Sequence, residues 1–344
     1  MPISTFTPIK TNVPVQNNST VTTPKTQTTQ PVEPKGLSTS AKVGIGAAAV
    51  GAIAIGVLLA KGKFSQAKQL ADHIEFQPAK TIEEAKAFAN KQLKVQFFYE
   101  DKANLDMINT VNEWLYREKI IAKNNIPDFV HFVEKDIENP LELTDKIFKD
   151  GKGYNSLGIN VNFINKFDEL FERVFKPHGE IDLGKLIKKN SNGIYEIVKP
   201  EYECENLNKL VQKLNAYNKN STFKDKMEIY DGFAEAIPYL DNILAGKSTK
   251  MATFSSDGPF LHEMGHLRHQ DTYKFYNEAK KESSKIYQEF QQHNIQSIAR
   301  QVSSYATSDP LEFVAETYKR LRRGQSFSDN VMALYKELGG PALT

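Results

Sequence analysis

The chain has 344 residues, 40% of them apolar and 25% charged, with a formal net charge of +2. That length and mix build one or two globular domains, and near-neutrality excludes bulk electrostatic capture of nucleic acid or of an anionic membrane surface. A single cysteine, Cys204, excludes an intrachain disulfide and a Cys-rich zinc knuckle, and no motif beside it marks a catalytic thiol.

Residues 1–42 are rich in Thr, Pro, Gln, Asn and Ser with few large apolar side chains, so they read as disordered. Residues 43–60 then run for eighteen positions without a charge, between Lys42 on one side and Lys61 and Lys63 on the other. This is just enough to cross a bilayer, and it predicts a single transmembrane helix with residues 61–80 as a juxtamembrane segment. A signal-peptide core and a buried helix are the competing readings. The forty polar residues ahead of the run argue against the first. Lysines at both ends leave the orientation open, and secretion is the alternative localisation.

Residues 81–248 read as a mainly helical lobe. Thr81 and Glu84 form a capping box ahead of the helical face Ile82, Ala85, Phe88 and Ala89. Leu105, Ile108, Val111 and Leu115 repeat at helical spacing. Val95, Phe97 and Tyr99 alternate like a short strand, as do Ile159, Val161 and Phe163. Helices are expected over 167–175, 207–217 and 224–244, with a turn at Asn192 and Gly193. The fold class is therefore α+β, predominantly helical with a small sheet. His73, His131 and His178 stand alone in this region and read as packing or surface histidines.

The third segment, 249–344, carries the chemistry. A weak strand is expected at 250–254, whose edge could take an extended peptide by β-augmentation. Phe260-Leu261-His262-Glu263-Met264-Gly265-His266 follows and contains H-E-x-x-H. Two imidazoles four residues apart on a helix share a face one turn apart, so both can hold one Zn²⁺, while the carboxylate of Glu263 faces the open side as a general base. Chance places this pentapeptide in about one or two per hundred chains of such composition, so context must decide.

A catalytic zinc needs a third protein ligand and a position for water. His269 has the wrong spacing for the H-E-x-x-H-x-x-G-x-x-H arrangement. Glu282 and Glu289 lie on a charged amphipathic run, 277–292, that reads as an exposed face. Glu312 is different: Asp309 and Pro310 start a helix cleanly, Arg320, Arg322, Arg323 and Gly324 end it, and Phe313, Val314 and Ala315 put the carboxylate in an apolar frame. The competing role for Glu312 is reaching back to the cap backbone.

With His262-Glu263-x-x-His266, a Tyr305 seven residues before Glu312, and Glu312-Phe313-x-Ala315-Glu316 opening a late helix, the chain resembles the lethal-factor type of zinc peptidase within the gluzincins. The resemblance spans about sixty of 344 residues. It implies a zincin-like domain, Glu312 as the third zinc ligand, and the Tyr305 hydroxyl as a donor to the oxyanion. Glu316, one turn after Glu312, could orient His262 or His266. The pattern departs from the thermolysin type, because Ile286 stands where a glutamate ligand would be about twenty residues past the second histidine. The expected function is a zinc metalloendopeptidase acting on a peptide or protein, anchored through 43–60 and without a nucleic-acid partner. The alternatives are a membrane-anchored helical interaction protein with an inactive peptidase-like domain, and a secreted toxin-like effector peptidase.

Overall fold

The computed structural model describes residues 75–98, 102–121, 125–135, 139–147, 153–175, 182–246, 250–272 and 276–343. The tail expected over 1–42, the apolar run at 43–60 and residues 61–74 lie outside the described residues. No helix among the described residues is long and apolar enough to cross a membrane.

Helix α1, Ile82–Phe88, starts where Thr81 accepts the Glu84 N–H at 3.1 Å. Glu84 returns its carboxylate to the Lys80 N–H, one residue before the expected partner. A π turn over Ala89–Leu93 leads to β1, Gln96–Phe98. Helix α2, Leu105–Ile121, buries Met107, Ile108, Val111, Trp114 and Leu115 on one stripe. Strands β2, Phe129–Val133, β3, Leu141–Ile147, and β4, Gly153–Asn160, complete a sheet of order β1-β2-β4-β3. The β1/β2 and β2/β4 pairs are parallel, and β3 runs antiparallel to β4 with Leu143 opposite Leu157. The parallel β1/β2 pair needs a crossover, which α2 supplies, and β3 is left at an edge.

The alternation of Ile159, Val161 and Phe163 does not continue as a strand. Asn160 turns its side chain onto the Asn162 N–H and caps a short helix, α3, Val161–Asn165. All three apolar residues are buried, and the cap starts the helix. Helix α4 spans Phe167–Phe175, and a hairpin of β5, Ile187–Lys189, and β6, Tyr195–Ile197, turns through Gly193 at φ +78°. Helix α5 is Glu205–Ala216, and α6, Phe223–Leu244, begins on a reciprocal cap between Thr222 and Asp225.

Residues 250–254 form no strand. The Met251 carbonyl accepts from the Asn206 side chain and the Phe254 carbonyl from Lys209, both on α5, so this backbone is tied down as an irregular link. The charged run 277–292 is broken rather than continuous: α8, Tyr276–Ala279, ends, and Ser284 caps a new helix, α9, Lys285–Phe290. Around these lie α7, Gly258–Thr272, α10, His293–Ala299, α11, Pro310–Arg322, and α12, Asp329–Glu337. One hydrophobic core reaches from Ala85 to Leu338 and draws on both the 81–248 and the 249–344 segments. Within it Trp114 of α2 stacks on Phe260 of α7 at 5.8 Å. Each such large side chain contributes about 2–3 kcal/mol by leaving water, which holds the histidine helix against the rest of the fold.

Candidate metal centre

Helices α7 and α11 cross in close contact. A Cβ on Gly265 would stand 2.9 Å from the Ala315 Cα, so only glycine here lets the two backbones approach this closely. The crossing has a direct consequence for His262 and His266 on α7 and Glu312 on α11. The two Nε2 atoms are 3.1 Å apart, and Glu312 Oε2 stands 3.1 Å from one and 3.4 Å from the other.

These three atoms form a group that could hold a metal ion. Donors about 2.0–2.1 Å from a shared centre at tetrahedral angles stand about 3.3–3.4 Å from one another, close to the observed triangle. The chemistry of the set agrees. Glu312 Oε2 is buried and faces both rings at ion-pair distance. A buried carboxylate oxygen there needs a cation, which either a protonated imidazole or a bound metal ion supplies. The competing role of Glu312, reaching back to the helix cap, falls to Asp309, which accepts the Leu311 and Glu312 N–H groups at 2.8 and 3.0 Å.

Glu316 lies one turn further along α11, where it accepts the His262 Nδ1–H at 2.9 Å. That hydrogen bond aims Nε2 at the shared point. Burial opposes charge on His262, but the carboxylates of Glu312 and Glu316 more than offset it and raise its pKa to about 10. Burial opposes ionisation of Glu312 as well, yet the two imidazoles outweigh it and hold this carboxyl well below its usual range.

Glu263 sits beside His262, and its Oε2 accepts the Leu143 N–H of β3 at 2.9 Å. Burial pushes its carboxyl upward, against the pull of His262 and His266, toward a group able to take and return a proton. The strand beside the histidine helix is thus β3, not 250–254. Tyr305 lies in a 3-10 turn, Tyr305–Thr307, with its ring 5.8 Å from that of His262. Burial, reinforced by the charges of Glu312 and Glu263, raises its phenol, which therefore stays protonated as a donor.

The remaining candidates are elsewhere. His269 is on α7 but buried, and its Nε2–H donates to the Leu338 carbonyl at 2.6 Å. Glu282 and Glu289 are exposed. His131 is on β2, with Nδ1 2.6 Å from the Ser156 hydroxyl. Sequence reasoning missed Leu143, whose contribution is a backbone N–H and leaves no side-chain signature. It also missed Lys319 and its partners on α6. The spacing Glu316-x-x-Lys319, within an arginine-rich helix end, was the available signal.

Comparison with known proteins found no family model, no curated protein and no solved structure that matches the chain.

Proposed function

We propose that this chain is a zinc-dependent metalloendopeptidase with a zincin-like catalytic domain of the lethal-factor type. The observation that carries the reading is the convergence of His262 Nε2, His266 Nε2 and the buried Glu312 Oε2 at 3.1–3.4 Å, with Glu263 beside them. Two neutral imidazoles and one carboxylate suit Zn²⁺ in a site that keeps a position open. Bound there, the ion would act as a Lewis acid on a water molecule and on the scissile carbonyl.

The chain's own groups supply the rest. Glu263 accepts the proton of the attacking water and delivers it to the leaving amine. Tyr305 donates its hydroxyl proton in a hydrogen bond to the oxygen on which negative charge develops. Glu316 keeps the His262 ring in place throughout. The outer edge of β3 runs past Glu263, and as an edge strand it suits an extended peptide laid alongside as an added strand. Because Glu263 occupies the Leu143 N–H in this state, substrate would exchange one partner for another there without leaving the amide unsatisfied.

The deciding experiment is metal analysis of the purified chain together with a digest of a broad peptide library. Chelator-sensitive cleavage that depends on Glu263 and His266 is expected. Stoichiometric zinc without turnover would instead favour an inactive peptidase-like binding module, and absence of zinc would remove both.

A further inference from the structure

Glu312 uses only the first turn of α11, yet the same helix carries a dense set of buried charges. Lys319 donates to Glu316 Oε1 at 2.8 Å, the same oxygen that accepts from His262 Nδ1 at 2.9 Å. Lys319 also stands 3.3 Å from Glu235 Oε1 and 3.9 Å from Asp231 Oδ1, both on α6. Arg320 pairs with Glu235 and comes within 3.9 Å of Glu316 Oε2. Arg323 pairs with Asp231 and approaches Glu235 Oε1 at 3.6 Å. Three cations thus face three carboxylates, and all six residues are buried.

Buried ion networks are poor stabilisers compared with apolar side chains of the same volume, because desolvation cancels most of the attraction. This one therefore calls for a role other than stability, and its connection to His262 through a single shared oxygen supplies it. We propose that Lys319 is a positioning residue for the metal centre: anchored by Asp231 and Glu235 of α6, it pins Glu316 Oε1 where that oxygen holds the His262 ring in metal-binding orientation. Left to itself, a buried glutamate on α11 has several rotamers and needs a cation to remain ionised. Lys319 provides that cation at Glu316 Oε1, so the carboxylate stays ionised and in place when the His262 ring is neutral. The inference rests on the zinc reading and goes beyond it in naming residues outside the ligand set.

The test is a double-mutant cycle read as zinc affinity by chelator competition, with wild type, K319M, E316Q and E316Q/K319M. Lys319→Met is expected to weaken zinc binding by about 10–100-fold, the range for loss of an outer-shell partner. The double variant is expected to bind no more weakly than Glu316→Gln alone, since Lys319 acts through Glu316. In zinc-loaded wild type, the His262 Nδ1–H should be a slowly exchanging NMR signal, and it should exchange faster in Lys319→Met. The double variant removes one charge of each sign, so its comparison with Glu316→Gln decides the matter even if Lys319→Met fails to fold. Wild-type zinc affinity in Lys319→Met, or losses that multiply in the double variant, would overturn the proposal. Failure of wild type to bind zinc would instead overturn the metal reading itself, and this inference with it.

Discussion

Gly265→Ala isolates the crossing that brings Glu312 to the histidines. The added Cβ would lie 2.9 Å from the Ala315 Cα, 3.2 Å from the Ala315 carbonyl oxygen and 3.3 Å from the Tyr318 Cβ. Carbon atoms rest about 3.5–4.0 Å apart, so α7 and α11 must separate by about 0.6–1.1 Å at this point. Two of the three obstacles are backbone atoms that no rotamer change can remove. Overpacking of this kind costs about 1–3 kcal/mol, offset by up to about 1 kcal/mol because alanine favours helix over glycine. The metal-free variant should therefore lose about 0–3 kcal/mol and still fold. Metal binding is more demanding, since ligand distances tolerate only about 0.2 Å. Glu312 lies one turn before Ala315 and moves with it, so zinc affinity should fall at least about tenfold, or about 1.4 kcal/mol. Chelator competition gives the affinity, and thermal unfolding with and without zinc separates it from stability. Zinc binding within twofold of wild type, in a folded Gly265→Ala protein, would refute the argument that this close approach sets the ligand triangle.

Glu263→Ala should retain zinc while turnover falls by about a hundred- to ten-thousandfold, measured by peptide cleavage alongside metal content. Retained peptidase activity would reject the general-base assignment. Tyr305→Phe removes one donor and should lower kcat by about a hundredfold with little change in KM, and an unchanged kcat would show that the phenol only packs against His262. The pH dependence follows from His262. Its pKa is raised from 6.5 to about 10 in the metal-free protein, so the stabilisation its charge provides is complete below about pH 6.5 and is lost as pH rises through 10. Metal needs the neutral ring, so each zinc that binds in this window displaces a proton and affinity should rise about tenfold per pH unit. Metal-free stability should fall over the same range. An affinity independent of pH between 6.5 and 8.5, after correction for the chelator, would contradict a protonated His262 in the metal-free state.

Local rules made much of the chain legible. The Thr81 cap locates the start of α1 and helical spacing places α4, α5 and α6 to within two residues, because these depend on contacts within a turn or two, whereas the stripe read for α2 stops at Leu115 and the helix runs on to Ile121. The strand readings fared less well. Alternation at Ile159, Val161 and Phe163 was overruled by the Asn160 cap, and the weak apolar pattern at 250–254 by side chains of α5 that claim its carbonyls. Neither competitor is visible in a short window of sequence.

The division is the same at the centre. The sequence by itself determined that His262 and His266 share one helical face, with Glu263 the next residue round from the first, since a rise of four residues is about one turn regardless of what surrounds the helix. It also set the start of α11, through Asp309 and Pro310. Only the tertiary structure decided that Glu312 meets both imidazoles, because that depends on the absence of a side chain at Gly265 and on the depth of the α7/α11 contact. Tertiary packing likewise brought Leu143 to Glu263 across 120 residues of chain and set α6 carboxylates against Lys319. Distances between remote segments are fixed by packing volume and buried charge, and those are properties of the folded whole.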